Sequence, residues 1–278
     1  MPVEIAAVVL LAALLHAVWN AMLGAAGDPA LDTALVATGG SLAAAAVLPF
    51  LPLPARESWP YLLASVAIHT VYFAALVGAY RGGDFSPAYT LMRGTAPVLT
   101  ALGGWLAGER LAGSQWLGVA LVSGGVAAMG TLGRRRGAAT SRATGFALGN
   151  AVVIAAYTLV DGRGVRLSGH APSYTLWVFF LDVLPLLAWT LASRGREAIA
   201  YAARRWRRGL LGGALMVTAY GLVLWSMTRA PVAAVAALRE TSVVFAALIG
   251  ARLLREPFGA VRAAAAAVVA AGVALLKL

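Results

Sequence analysis

An arginine stands near the middle of two apolar stretches that read as copies of one another. The first, Phe85 to Arg110, is FSPAYTLMRGTAPVLTALGGWLAGER, and the second, Ala230 to Pro257, is APVAAVAALRETSVVFAALIGARLLREP. Aligned on Arg93 and Arg239, each gives an apolar run, Arg-x-Thr, and a second apolar run closing on a Glu (Glu109, Glu256). Each copy is long enough to cross a bilayer. A charge at mid-membrane costs several kcal/mol, about 2.5–3.5 on insertion scales, so it faces protein or a watered cavity. One such span in each half predicts an internally duplicated membrane protein whose site lies near the midplane.

The remaining sequence supports a polytopic all-α chain. Apolar residues make up 61% of 278 and charged residues 12%, too few to clothe a soluble domain. Runs of about twenty apolar residues recur throughout, and their continuity rejects the alternation of a β-barrel. They predict ten transmembrane helices at 3–23, 33–53, 60–80, 85–106, 112–132, 144–162, 173–193, 209–228, 231–251 and 258–277. The longest hydrophilic loops are 133–143 and 194–208. No cysteine is present, which removes disulfides and thiolate metal sites, and three scattered histidines predict no metal centre. The net charge of +11 is concentrated in short loops, where it sets topology, so no nucleic-acid partner is expected.

The repeat extends outside the arginine spans. YFAALVGAYR at 72–81 matches YGLVLWSMTR at 220–229, and Trp19-Asn20 occupies the place of Tyr157-Thr158. Each half, 1–143 and 144–278, therefore holds five predicted spans. An odd number forces opposite insertion, giving two inverted five-helix repeats around a central cavity. Loop charges place the termini outside, because 133–143 and 194–208 carry four and six arginines.

At this point the residues resemble a known family. The run from Pro97 to Gly130 (PVLTALGGWLAGERLAGSQWLGVALVSGGVAAMG), with Glu109, Gln115, Gly118 and Gly125, resembles an EamA domain of the drug/metabolite transporter (DMT) superfamily. The second copy resembles the same ending, with Val243 in place of Pro97 and Arg262 in place of Gln115, and LLHAVWNAML resembles the start of such a chain. The resemblance implies a ten-helix basket working by alternating access in the bacterial inner membrane, with both termini often cytoplasmic. Members of the YddG type export aromatic and other amino acids, and other members export drugs or different metabolites. Expected partners are a small solute and the bilayer, with a monomeric chain, no cofactor and no enzymatic reaction. Among the loops only Arg, Ser and His170 offer chemistry, too little for an integral-membrane enzyme, and there is no phosphate loop or HExxH zinc motif.

Several polar residues fall inside the predicted spans. His16, Trp19 and Asn20 share one face of the first, and His69 and Tyr72 one face of the third. Arg93, with Tyr89 one turn earlier, can clamp a carboxylate bidentately or pair with a carboxylate from another span. Arg239 allows the same two readings. Tyr157, Tyr220 and Trp225 complete the expected substrate-binding set with Glu240. Asp182 and Glu240 are the candidates for carrying a proton, and either can instead pair with an arginine. Asp161, Asp84, Glu109 and Glu256 lie at span ends and are expected to be solvated or capping. Pro87, Pro97, Pro185 and Pro231 are the expected hinges.

Overall fold

The computed structural model describes residues 1–24, 28–80, 85–131, 141–253 and 259–277, with side chains given except at 23–24, 29, 73–80, 85–89, 130–131, 141–143 and 253. The described residues form helices α1 (Val3–Gly24), α2 (Pro29–Val47), α3 (Trp59–Tyr80), α4 (Phe85–Leu106), α5 (Gly113–Thr131), α6 (Ser141–Leu167), α7 (Ala171–Met227), α8 (Val232–Arg239), α9 (Ser242–Leu253) and α10 (Ala260–Lys277). Two short 3₁₀ turns, Leu48–Phe50 and Arg56–Ser58, join α2 to α3. Six helical stretches, Val3–Met22, Ala30–Phe50, Thr144–Leu167, Ala171–Met227, Val232–Arg252 and Ala260–Lys277, are long and apolar enough to cross a bilayer.

Polarity is inverted relative to a water-soluble protein. Phe50, Leu63, Val71, Leu106 and Leu211 are exposed, while Arg93, Arg239, Glu240 and Asp161 are buried. Charges inside and large apolar groups outside make sense only with hydrocarbon as the solvent. This is a multi-pass membrane protein.

Local sequence explains the helix ends. Asp28 accepts from the Ala30 and Leu31 amides to cap α2, and the His170 ring accepts from the Ser173 amide to cap α7. Gly108, at φ 92°, ends α4 in a left-handed turn. There the Gly108 amide bonds Trp105 and the Glu109 amide bonds Gly104, the pattern of a Schellman cap. That turn aims the Glu109 side chain across the bundle.

Two differences from the sequence reading stand out. The stretch 194–208 is helical, not irregular: α7 runs from Ala171 to Met227 and leaves helical geometry only at Gly195 (φ 41°, ψ −116°) and Arg205 (φ −126°, ψ 15°). The expected ninth span is interrupted between α8 and α9, at Glu240 and Thr241. There the amides of Glu240, Thr241 and Val243 bond the carbonyls of Ala237, Leu238 and Glu240, three residues back. Pro97 lies within α4 and Pro185 within α7, and neither interrupts its helix. The interruption falls where Arg239 and Glu240 are tied to α6 and α4, while the Thr241 hydroxyl bonds back to the Leu238 carbonyl.

Candidate functional site

The interruption of α8–α9 places two arginines in one buried region. From α4, Arg93 sets its Nε 2.7 Å from Glu240 Oε2, and its Nη2 donates to Ser242 Oγ at 3.1 Å. Both charged side chains are only 4% exposed. Adjacent Arg239 points elsewhere, as the 100° step between helix neighbours requires. Its Nη2 donates to the Tyr157 hydroxyl at 3.3 Å, and its guanidinium lies 5.5 Å from the Tyr220 ring centre. Among the described residues, no carboxylate lies within ion-pair distance of Arg239.

An aromatic cluster surrounds that second guanidinium. The rings of Tyr157 and His69 lie 4.4 Å apart, those of Tyr157 and Tyr72 6.0 Å, and those of Tyr157 and Tyr220 6.4 Å. Phe179 meets Tyr220 edge-on. The Tyr220 hydroxyl donates to Asp161 at 2.6 Å and the Tyr174 hydroxyl to the other oxygen at 3.0 Å. His69 Nδ1 lies 3.1 Å from Asp182 and 3.1 Å from the Ser65 hydroxyl. A cavity of about 10 Å³, room for no more than one water, lies between Ala12, His16, Ala219, Tyr220, Val223 and Arg239.

The structure thus draws His16, His69, Tyr72, Tyr157, Tyr220 and Arg239 together. Trp19 stands edge-on to His16 at 5.1 Å, while the Asn20 amide turns back onto the His16 carbonyl of its own helix. Trp225 faces away: Arg229 lies 3.9 Å over its ring, and it lines a shallow apolar groove with Val8 and Leu222. Tyr89 lies outside the residues whose side chains are described, as do Phe73 and Tyr80. Asp182 pairs with His69 and not with an arginine, and Glu240 is held by Arg93. Asp161 corrects the sequence reading: it is 0% exposed and bonded by two tyrosines, because α6 continues to Leu167 and carries it into the core. Its place four residues after Tyr157, like that of Ser65 four before His69, is the signal that could have found both.

At the face of the bundle that carries the termini, a second polar cluster closes the structure. Arg166 donates to Glu109 at 2.7 Å and to the carbonyls of Met227 and Ala230 at 2.7 and 2.9 Å. Glu109 also accepts the Val232 amide at 3.1 Å, putting a carboxylate on the N-terminus of α8. Replacing Arg166 with Gln should loosen this seal. Val223, 2% exposed beneath it, is the reporter: in this cysteine-free chain, Val223→Cys should react with a maleimide about tenfold faster when Arg166 is Gln, as expected for about 1.4 kcal/mol of lost contact. Equal rates would show that the cluster does not seal.

Comparison with known proteins gives this geometry a context. The profile of the EamA-like transporter family matches residues 142–278. An uncharacterized protein of Pseudomonas aeruginosa is 31% identical over 233 residues, covering 80% of this chain and 74% of its own. The chain belongs to the EamA-like transporter family. A solved crystal structure shares the fold at a TM-score of 0.76 and 20% identity, covering 99% of this chain and 98% of that one. In this EamA-like transporter the buried arginines and the aromatic cluster therefore lie in a membrane protein built to pass a small molecule.

Proposed function

We propose that the chain is a secondary transporter exporting amino acids, neutral or aromatic ones first, or similar small zwitterionic metabolites across the bacterial inner membrane. In this reading it is a monomer that works by alternating access between two inverted five-helix repeats, 1–143 and 144–278, making ten spans. The breaks of α7 at Gly195 and Arg205 support counting that element as two of them. The start of the family match at 142 supports the division. The Pseudomonas relative supports a bacterial membrane.

One observation carries the substrate class. Arg239 is buried, borders the small cavity, and is met by a hydroxyl and a ring face but by no described carboxylate. A guanidinium so placed is complementary to an incoming carboxylate, and the surrounding ring faces suit an ammonium and an apolar side chain. Arg93, already neutralised by Glu240, is the structural partner of the two. The cavity is smaller than the roughly 300–1,000 Å³ of ligand clefts, so binding requires the helices to part, with the α8–α9 interruption as the flexing point.

The test is thermal stabilisation of purified protein by each of the twenty amino acids, followed by radiolabelled efflux from proteoliposomes. Arg239→Ala should weaken binding about 10–100-fold, the range of a charged hydrogen bond at about 1.5–3 kcal/mol. No stabilisation by any amino acid, together with stabilisation by members of a drug panel, would move the assignment to drug export.

A further inference from the structure

The buried charges around Arg239 leave one carboxylate over. Arg93 and Glu240 cancel. Arg239 is matched by Asp161, the two linked through Tyr220, whose ring faces the guanidinium and whose hydroxyl donates to the carboxylate. Asp182, on the α7 turn facing α3, has no such counter-charge. Its Oδ2 lies 3.1 Å from His69 Nδ1, and its Oδ1 is buried without a hydrogen-bond partner. A bare carboxylate so placed is far costlier than one that is protonated or paired with a cation. The pair therefore balances only when it holds one proton, either on the carboxyl, donated to the ring, or on the ring, donated to the carboxylate.

The surroundings fit a proton that comes and goes. Facing the pair are Ser65 and Tyr72 from α3, Tyr157 and Asp161 from α6, Tyr174 and Tyr220 from α7 and Arg239 from α8; further off, His16 of α1 borders the Tyr220–Arg239 cavity and Ser41 of α2 bonds the Phe180 carbonyl. Tyr157 touches both centres, stacking on the His69 ring and accepting from Arg239.

We propose that Asp182 and His69 form the proton site of a proton/substrate antiporter, coupled to the substrate site through Tyr157. The coupling step rests on the amino-acid reading above; the proton site does not. With the substrate carboxylate on Arg239, its ammonium, on the neighbouring carbon, lies over the tyrosine faces beside His69. That cation repels the proton, which leaves the pair for solvent; after release of substrate on the far side, the pair takes a proton back. The zwitterion brings no net charge, so the departing proton carries one positive charge to solvent and leaves Asp182 ionised opposite the substrate ammonium.

Three experiments decide this. Infrared titration of protein labelled with isotopic aspartate should show a protonated carboxyl that disappears in Asp182→Asn and titrates differently in His69→Gln. A titration identical in the wild type and Asp182→Asn would overturn the site. The second experiment adds an equimolar mixture of the twenty amino acids to weakly buffered protein with a pH indicator. Binding with proton release in the wild type, and binding without release in Asp182→Asn, is the expected result. In proteoliposomes with the membrane potential clamped at zero, a pH gradient of about one unit should then shift the substrate ratio about tenfold in the wild type, and leave it near unity in the variant. Binding without proton release in the wild type would overturn antiport. An Asp182 carboxyl that titrates in a protein binding no amino acid would leave the proton site standing and remove the substrate assignment.

Discussion

Glu240→Gln should lower the stability of the folded protein by about 3–5 kcal/mol, the cost of leaving a buried charge without its partner. The wild-type contact is short, 2.7 Å from Arg93 Nε to Glu240 Oε2, with both side chains 4% exposed. Once the carboxylate is gone, Arg93 keeps its bond to Ser242 and loses the 2.7 Å ion pair. Neutral interhelical hydrogen bonds in membranes are worth only about 0.6–2 kcal/mol, so the two cases separate on magnitude alone. Thermal unfolding in detergent, read at one scan rate, is the measurement. The double variant Arg93→Met/Glu240→Met removes both charges and should recover most of the loss, because two apolar chains of similar length can replace a buried pair. A single variant as stable as the wild type would mean that water reaches the pair and that the α8–α9 interruption is not pinned by it.

The same pair shows what could be read from the chain beforehand. Arg93 and Arg239 were recognisable because a charge inside an apolar span has few places to go, and because the span occurs twice. Their roles were not separable in sequence, since both stand in Arg-x-Thr. The single difference, Gly94 against Glu240, decides the matter: the second copy supplies the carboxylate that neutralises the arginine of the first. That assignment needs the packing of α4 against α8, which no local pattern encodes. The interruption of the ninth span was hidden for a related reason. Helix breaks are read from Gly and Pro, whereas this one is made by side chains held from outside the helix. Asp161 reads as a span-end residue because the apolar run stops at 162, whereas α6 continues through a polar turn to Leu167. The bounds of α4, by contrast, were legible: the helix spans Phe85–Leu106 as the apolar pattern required.

The glycine pairs make the second large prediction and show the limit of composition as a guide. Gly124-Gly125 and Gly212-Gly213 look equivalent in sequence, both on membrane helices where small residues allow close packing. The structure separates them. A Cβ on Gly213 would collide with the Gly40 amide nitrogen, and one on Gly39 with the Gly209 carbonyl, because α2 and α7 touch backbone to backbone there. Neither obstacle is a side chain that can turn away. Gly213→Ala should therefore force the helices apart and cost at least about 1–3 kcal/mol, the usual cost of overpacking, even after the roughly 0.8–1.0 kcal/mol that Ala gains over Gly in a helix. Gly124→Ala, where a Cβ meets nothing within 4 Å, keeps that gain and should leave the protein as stable as before or more so. Thermal unfolding of the two variants side by side separates packing from propensity: a Gly213→Ala protein that unfolds with or above Gly124→Ala would show that α2 and α7 stand further apart in the membrane than their backbones allow here. The contact also bears on transport, since α7 carries Asp182, Tyr174 and Tyr220. A helix pair with no slack moves as one body, so any rearrangement that opens the aromatic cluster must carry α2 along with α7 and take up its change elsewhere, at the α8–α9 interruption.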